Sequence, residues 1–320
     1  MPERDYAFAV GRIRVLETRL LDMGRLARMA EAASVADALA QLSETEYAPL
    51  AAKGLGGAEL AASELARVRD LVLHLAPEAP ALQYLLRRWD LLNLKSLVRQ
   101  EVFGAKPVLN ALGCFSPAEI ASWFETGRPE LPEQFARALQ AGRAACREGA
   151  DPQLLDAAID RLYYGEGASY WETESMMQRY WPARIDLINL RVLVRGKHLG
   201  CETTRLRMLI LPGGVIKEDS FAAALETAWE ETAAWWGRGA YAAAVPASTL
   251  RDLGALERAS ENLLLALAKP AKAAPFGIDP VLGYYLAKEH ETRLVNLILT
   301  AKAVEVPAKS IKERLRDVYA

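Results

Sequence analysis

Residues 89–99 read WDLLNLKSLVR, and residues 185–195 read IDLINLRVLVR. The two stretches align without a gap and share the pattern D-L-x-N-L-[KR]-x-L-V-R, in which x is any residue. A weaker third copy, RLVNLILTAK, occupies residues 293–302, where it keeps the Asn-Leu pair and the final basic residue but lacks the aspartate. Internal self-similarity of this kind indicates several copies of one structural unit.

The period of this repeat is close to the size of a small domain. The asparagines of the three copies, Asn93, Asn189 and Asn296, lie 96 and 107 residues apart (189 − 93 and 296 − 189). Solenoid repeats span about 20–50 residues, so this period indicates small domains rather than stacked turns. We predict three helical units with approximate boundaries at 1–106, 107–210 and 211–320. Residues 10–21 resemble a degenerate fourth copy, which would pair the first helix with the last.

The rest of the chain has the composition and spacing of a helical protein. Apolar residues make up 52% and charged residues 25% of the 320 residues, a mix that suits two or three folded domains. Apolar residues recur at three- and four-residue spacings, whereas the alternation typical of strands is rare. The predicted fold class is therefore all-α. Helix starts are predicted at capping residues, most of them followed by proline: Ser34, Ser116-Pro117, Asp151-Pro152 and Asp279-Pro280.

Charge and cysteine content argue against several classes of protein. With 39 Lys and Arg residues against 41 Asp and Glu residues, the net charge is -2, so no overall basic field steers the chain to nucleic acid or acidic lipid. The three cysteines, Cys114, Cys146 and Cys201, include no C-x-x-C pair and indicate neither a disulfide framework nor a zinc site. We expect a reducing, cytoplasmic setting and no membrane-spanning segment.

Each of the first two repeated helices has an apolar face and a pair of short polar residues. Asp90 and Asn93 lie on adjacent turns, as do Asp186 and Asn189. We expect these side chains to satisfy a neighbouring helix end or loop. At about 100° per residue, the apolar residues form one stripe on each helix, which we predict to be buried. The stripe residues are Leu91, Leu94 and Val98, and Leu187, Leu190 and Val194.

Basic residues recur on a separate face of the same two helices. They occupy equivalent positions in the two copies: Arg88, Lys95 and Arg99, and Arg184, Arg191 and Arg195. The third copy has Glu291, Ile298 and Lys302 at these positions, so the pattern is asymmetric. One interpretation is a solvated face with salt bridges to neighbouring helices. The other is a surface that binds a partner.

The sequence carries no familiar signature of catalysis or cofactor binding. The Gly196-Lys197 pair lacks the first glycine of a P-loop, and residues 165–170 lack the third glycine of a dinucleotide fingerprint. His290-Glu291 begins like a zinc-protease helix, but Leu294 stands where the second histidine belongs. We predict no catalytic residue, no cofactor and no metal ligand.

The C-terminal third carries a longer signature. Residues 275–291 read PFGIDPVLGYYLAKEHE and continue into LVNL at 294–297. With YAFAVGRIRVLETRLL at 6–21, LSETEY at 42–47 and RDLGALER at 251–258, the chain resembles the C subunit of prokaryotic V-type (A-type) ATPases. That protein is a relative of the eukaryotic d subunit. His290 and Arg293 depart from the residues more usual in the family.

The resemblance implies an all-helical, funnel-shaped protein of three similar bundles around a pseudo-threefold axis. It also implies a non-catalytic subunit that sits on the membrane-embedded proteolipid rotor ring and receives the end of the central stalk, formed by the D and F subunits. The chain would be peripheral on the cytoplasmic face of the membrane, with no cofactor, nucleic acid or small-molecule substrate. It would transmit torque during ATP-driven or ATP-synthesising ion transport.

A coupling subunit needs wide surfaces with several polar contacts rather than one pocket. Under this interpretation, we expect the six basic residues of the first two repeats to contribute to the wall that faces the stalk. A helical adaptor of another complex would share the same composition and the same lack of a site. An enzyme within an all-helical fold is the remaining alternative, and a deep pocket with perturbed titratable groups would favour it.

Overall fold

The computed structural model describes residues 6–126, 132–146, 151–171 and 175–320. Every regular element in these ranges is a helix, and none of their residues lies in a β-strand. The prediction of an all-α fold is therefore confirmed. Within the same ranges, no helix combines the length and the apolar character needed to cross a membrane.

The chain divides into two compact units. The first combines Met1–Leu82 with Glu257–Ala320, so the N- and C-terminal segments share one unit, and the second is Gln83–Leu256. The division at 1–106, 107–210 and 211–320, the three similar bundles and the funnel shape remain predictions.

The helices are numbered in chain order. The first unit begins with α1 (Ala7–Glu17), α2 (Met23–Glu31), α3 (Val35–Ala40), α4 (Ala48–Ala51) and α5 (Gly57–Leu75). The long helix α6 (Pro80–Phe103) starts at the end of this segment and continues into the second unit. The second unit then contains α7 (Pro117–Thr126), α8 (Glu133–Ala145), α9 (Pro152–Glu166), α10 (Met177–Leu199), α11 (Thr203–Leu209), α12 (Glu218–Glu226) and α13 (Trp229–Trp236). The last helices are α14 (Leu253–Ala268), α15 (Asp279–Ala303) and α16 (Ala308–Glu313).

Capping side chains explain why several helices begin where they do. Ser34 and Asp151 each accept the backbone N–H of a residue in the first turn, at 3.1 and 2.9 Å. The Ser116 hydroxyl accepts the N–H of Glu119 at 3.2 Å, while the Glu119 carboxylate accepts the N–H of Ser116 at 2.8 Å, which is a capping box. The fourth predicted cap is wrong by one position, because Asp279 is the first residue of α15. A carboxylate in the first turn still stabilises the helix, because it interacts favourably with the positive end of the helix dipole.

The core of the first unit is built around α15, which packs against α1, α2, α3 and α5. Because it is surrounded, α15 buries residues on every side, including polar ones that must then find partners. Its apolar contribution to the core is Leu294, Val295, Ile298 and Leu299, which meet Leu26, Met29, Leu60 and Ile311.

In the second unit, α9 packs against α8 and α11, and α10 packs against α11 and α12. The predicted apolar stripes of the first two repeats are buried, with no more than 4% of any of the six side chains exposed. Aromatic rings from α6, α9 and α10 also pack against one another. The Tyr163 ring lies 4.9 Å from Tyr84 and 5.4 Å from Trp181, measured between centroids. The three repeat copies lie within α6, α10 and α15, the three longest helices of the described residues.

Candidate functional site

The polar pair of the first repeat binds the segment that follows α6. The Asn93 amide donates to the carbonyl of Asn110 at 2.8 Å, and its oxygen accepts the Asn110 N–H at 2.8 Å. The Asp90 carboxylate accepts the backbone N–H groups of Cys114 at 2.9 Å and Phe115 at 3.2 Å. Both Asp90 and Asn93 are fully buried. We call these two residues the first polar clasp.

Asp186 and Asn189, the second polar clasp, make the same contacts in the next repeat. Asn189 donates to the Leu211 carbonyl at 2.9 Å and accepts its N–H at 2.8 Å. Asp186 accepts the N–H groups of Val215 and the next residue at 2.9 and 3.2 Å, and the Tyr241 hydroxyl at 2.9 Å. Burial raises the pKa of Asp186, although the hydroxyl and the two amides oppose this by stabilising the carboxylate.

The two clasps correspond residue by residue. Each asparagine is separated in sequence from its hydrogen-bond partner by 17 residues in the first repeat and 22 in the second. For the aspartates, the separations are 24 and 29 residues. The second connection is thus five residues longer in both cases (22 − 17 and 29 − 24), and it contains α11. A Cβ atom on Gly113 would lie 1.9 Å from Asp90 Oδ1, and one on Gly214 would lie 2.0 Å from Asp186 Oδ1. Glycine is therefore required at both positions, and the structural role predicted for the Asp-Asn pairs is confirmed.

The third repeat makes different contacts. The side-chain oxygen of Asn296 accepts the Thr300 hydroxyl at 3.0 Å. Arg293, which replaces the aspartate, forms an ion pair on its own helix. The carboxylate that reaches a neighbouring backbone here is Glu291, which accepts the N–H of Leu21 at 2.6 Å. Helix α15 thereby holds the loop that follows α1 within the first unit.

The first unit contains a buried ion cluster, which we define as Lys288, Glu64 and Glu291 together with the partly exposed Arg67. The Lys288 ammonium lies 2.7 Å from Glu64 Oε1 and 2.6 Å from Glu291 Oε1. Arg67 makes two hydrogen bonds to Glu64, each 2.8 Å long. Only 1% of Lys288 is exposed, and Glu64 is fully buried. Since buried ions are costly unless they are paired, Lys288 and the carboxylates of Glu64 and Glu291 depend on one another.

Tyr47 covers this cluster from one side. Its ring centroid lies 4.3 Å from Lys288 Nζ, and its hydroxyl donates to Glu291 at 2.9 Å. Burial alone would lower the pKa of Lys288, but the carboxylates of Glu291 and Glu64 raise it above the ordinary value. The lysine is therefore charged. The sequence analysis did not identify Glu64. The only indication of its role in the sequence is that a carboxylate occupies one of the otherwise apolar buried positions of α5.

Two of the six predicted partner-binding residues form salt bridges inside the second unit. Lys95 is 7% exposed, and its ammonium lies 2.5 Å from Asp160 Oδ1. Arg99 pairs with Asp156. Burial raises the pKa of Asp156, although Lys95 and Arg99 act in the opposite direction. The two acids stand four residues apart on α9, as the two cations do on α6, and this matched spacing is the signal that the sequence offered for the pairs.

The other four predicted residues lie on α6 and α10. The Arg88 guanidinium is 5.3 Å from the ring centroid of Trp89. Arg184 donates to two tyrosine hydroxyls, at 3.2 and 3.3 Å. Arg191 is half-buried and Arg195 is exposed. Their role as a partner surface remains a prediction.

An open groove of about 710 Å³ lies within the second unit, between α9, α10 and α11. We call it the α10 groove. Arg195 lines the groove directly, and Lys95 and Arg99 bind two of its acidic residues, Asp160 and Asp156. Its apolar lining includes Ile188, Val192, Leu199, Leu206 and Leu209.

The motifs considered for chemistry have structural partners. In the Gly196-Lys197 pair, the lysine ammonium donates to three backbone carbonyls at the C-terminal end of α12, at 2.8, 3.0 and 2.6 Å, so all of its hydrogens are used. His290 Nε2 lies 2.8 Å from the carbonyl oxygen of Asp317. In the described part of the chain, no group of three His, Cys, Asp or Glu side chains is placed to hold a metal ion.

Comparison with known proteins places this architecture in a family. The family model described as "ATP synthase (C/AC39) subunit" matches residues 9–314. The chain is 26% identical to the C subunit of the A-type ATP synthase of Thermococcus onnurineus, over 98% of this chain and 90% of the relative. It is 27% identical to the C subunit of the V-type ATP synthase of Thermus thermophilus, over 97% of this chain and 98% of the relative. The corresponding protein of Deinococcus radiodurans is 25% identical, over 99% of this chain and 92% of the relative.

The matched segment contains both polar clasps, the buried ion cluster and the α10 groove. It also contains all three copies of the internal repeat. The chain belongs to the ATP synthase (C/AC39) subunit family.

Proposed function

We propose that this chain is a non-catalytic central-stalk subunit of a rotary V/A-type ATPase. In this role it couples the central stalk, formed by the D and F subunits, to the proteolipid rotor ring at the cytoplasmic face of the membrane. The observation that carries the proposal is the family match over residues 9–314, together with relatives named as the C subunits of ATP synthases.

The internal construction of each unit suits a part that transmits force. Torque deforms any connection that is held by weak contacts, so a coupling subunit benefits from loops fixed to rigid helices. The polar clasps fix two such loops through buried hydrogen bonds, and each bonded group would be costly to leave unsatisfied. The buried ion cluster has the same effect in the first unit, because separating its charges exposes them to an apolar interior.

The contact with the stalk is assigned to the basic faces of α6 and α10. We propose that Arg88, Arg184, Arg191 and Arg195 meet the partner, while Lys95 and Arg99 act indirectly by holding α9 through Asp160 and Asp156. Several basic side chains distributed over a surface attract a partner surface of opposite charge. They increase the rate and the specificity of association more than its affinity. The partner face opposite these residues is therefore expected to be acidic.

The decisive experiment is assembly from purified parts. The full chain, the D–F stalk and the proteolipid ring are mixed in pairs and all together, and complexes are separated by size. The proposal expects the stalk to bind the ring only when this chain is present. Stable association with unrelated proteins and none with the ring or the stalk would overturn it in favour of an adaptor of another complex.

Charge reversal tests the assignment of the basic faces. The double variant Arg88→Glu/Arg191→Glu changes one residue in each repeat and leaves the internal ion pairs of Lys95 and Arg99 intact. It should weaken stalk binding and make the remaining binding less sensitive to salt, because the screened attraction is lost. Unchanged affinity in a folded double variant would contradict this assignment.

A further inference from the structure

We infer that residues 314–319, which follow α16 and which we call the α16 strap, form an acid-sensitive latch on the first unit, with His290 as the group that responds to pH. The strap is the third-repeat equivalent of the loop that the second polar clasp holds. Different side chains fasten it, and one of them is a histidine. The inference does not depend on the proposed function.

The chain follows the same course after the second and the third repeated helix. After α10 come Gly200, whose backbone is left-handed, the short helix α11 and a loop at 210–217 without helix or strand. After α15 come Glu305, also left-handed, the short helix α16 and the strap, which contains neither helix nor strand. The strap therefore corresponds to the loop at 210–217.

Two arginines extend this correspondence to the preceding helices. Arg161 of α9 donates to the carbonyl of Ile210, directly after α11. Arg258 of α14 donates to the carbonyl of Glu313, the last residue of α16. In both repeats, the helix before the repeated one thus holds the point where the loop begins.

The strap is fastened by residues of α14 and α15 outside the repeated Asp-Asn positions. The Asp317 N–H donates to Asn262 Oδ1 at 3.0 Å, and its carbonyl oxygen lies 2.8 Å from His290 Nε2. Arg316 donates to the Glu261 carboxylate at 2.8 Å. The equivalent loop at 210–217 has no histidine among its fastening contacts, because Asp186 and Asn189 hold it.

The closed strap keeps water away from His290, which is 7% exposed. The imidazole shares a small cavity with Val318 and Tyr319 of the strap. The apolar walls of this cavity include Leu20, Leu21, Leu26 and Leu294. Lifting the strap would open this cavity and give the imidazole access to water.

A second proton on the ring would create a cation in this closed place. Because a carbonyl oxygen only accepts, Nε2 carries the hydrogen of the neutral ring, and the next proton goes to Nδ1. Glu261 of α14 favours the charged ring, whereas Arg316 of the strap and Arg293 of α15 oppose it.

The other charged groups near His290 already have partners or lie in solvent. On its own helix, Glu289 pairs with Arg293, and Glu291 pairs with Lys288. The Asp317 residue of the strap is exposed. The loop after α1 and the helix α2 contribute only leucines to the cavity. A charged imidazole is therefore poorly compensated while the strap is closed.

The sign of the pH effect follows from where the proton binds more tightly. In the closed form, burial lowers the pKa of His290, with Arg293 and Arg316 acting in the same direction. In the open form, the ring is hydrated and titrates near the ordinary value of about 6.5. Between these two values the open form binds one more proton, so the ratio of open to closed strap rises by up to about tenfold per pH unit as the pH falls.

Hydrogen exchange of the full chain between pH 7 and pH 5 tests the latch, with each rate divided by the intrinsic rate at the same pH. The Asp317 amide reports on the strap, and the Val295 amide, within α15, reports on unfolding of the whole unit. We expect the protection of Asp317 to fall by up to about tenfold per pH unit and to lie below that of Val295 throughout. Constant protection of Asp317, or protection equal to that of Val295 at every pH, would overturn the inference.

Two variants separate the latch from a merely structural contact. His290→Gln keeps a donor for the Asp317 carbonyl but does not titrate, so the protection of Asp317 should no longer depend on pH. Lys272→Met removes a different strap contact, the 3.1 Å bond to the Tyr319 carbonyl. It should lower protection about two- to tenfold at every pH and keep the slope.

A slope that disappears in both variants, or in neither, would overturn the inference. The pH profile of the unsubstituted chain provides a test of its own, which stands even if His290→Gln fails to fold.

Discussion

The ammonium group of Lys288 lies 2.7 Å from the carboxylate of Glu64, and both side chains are almost completely removed from solvent. The pair joins α15 to α5. It therefore links the two segments of the chain, 1–82 and 257–320, that together form the first unit. Burial determines how much free energy is lost when the pair is broken, because the remaining ion then has neither water nor a partner around it.

We predict that Lys288→Met destabilises the protein by about 3–5 kcal/mol, since it leaves the carboxylates of Glu64 and Glu291 short of a cation in the core. The measurement is urea-induced unfolding. Arg207→Met is the control, because Arg207 and its partner Asp219 are both more than half exposed, at 53% and 83%. The control should cost less than about 1 kcal/mol. Similar losses for the two variants would show that burial does not determine the strength of the Lys288 pair.

Gly214→Ala should destabilise the second unit by about 1–3 kcal/mol, because the added methyl group overlaps the Asp186 carboxylate and forces the loop away from its clasp. Gly113→Ala should act in the same direction through Asp90. Gly11→Ala is the control, since a Cβ atom there meets no atom within 4 Å and lies inside a helix, where alanine is favoured by about 0.5–1 kcal/mol. Thermal unfolding of the three variants gives the comparison, and a neutral Gly214→Ala would rule out the close approach to Asp186.

Asn189→Ala removes both side-chain bonds to Leu211 and leaves the buried backbone groups of that residue without these partners. We expect a loss of about 1–3 kcal/mol. Hydrogen exchange should locate the loss, because the amide of Leu211 should exchange faster while amides in α8 change little. Asn296→Ala, which removes only a bond from Thr300, should cost less than about 1 kcal/mol. If the Leu211 amide kept its protection in Asn189→Ala, the clasp would not be what holds that loop.

Burial lowers the pKa of His290, and Arg293 and Arg316 act in the same direction, while the Asp317 carbonyl and Glu261 oppose them. Between this lowered pKa and the ordinary histidine pKa, the unfolded chain binds the proton more readily than the folded protein does. Stability should therefore fall as the pH is lowered from about 7 to about 5.

His290→Gln should reduce that pH dependence, because glutamine does not titrate and its amide can donate to the Asp317 carbonyl. The measurement is the free energy of unfolding across the pH range in the full chain. His198→Gln, at an exposed histidine, serves as the control. A slope equally steep in His290→Gln would assign the acid sensitivity to other groups.

Local patterns in the sequence predicted much of the helical framework. The apolar spacing of the two best repeats identified residues that are buried, and Ser116 and Asp151 marked helix starts correctly. The one error of register, at Asp279, arose because a carboxylate stabilises a helix both as its cap and in its first turn. Apolar spacing and helix caps depend only on residues that are close in sequence. They can therefore be identified without knowledge of the tertiary structure.

The candidate site was only partly predictable. The sequence marked Arg99 and Arg195 as equivalent residues of the repeated basic face, which also contains Lys95. Their surroundings differ, because Lys95 and Arg99 meet the acids of α9 while Arg195 lines a groove. Charge periodicity on one helix does not report what the neighbouring helix carries. The partner of each basic residue depends on how α6, α9 and α10 pack.

The sequence by itself determined the all-helical class, the internal repeat, the buried stripes and the structural role of the Asp-Asn pairs, because helical periodicity and capping are local. Only the tertiary structure decided that Glu64 neutralises Lys288, that Gly113 and Gly214 admit the two aspartates, and that an apolar groove opens beside Arg195. These features join residues distant in sequence, and their energies come from burial and packing between helices, which no single segment encodes.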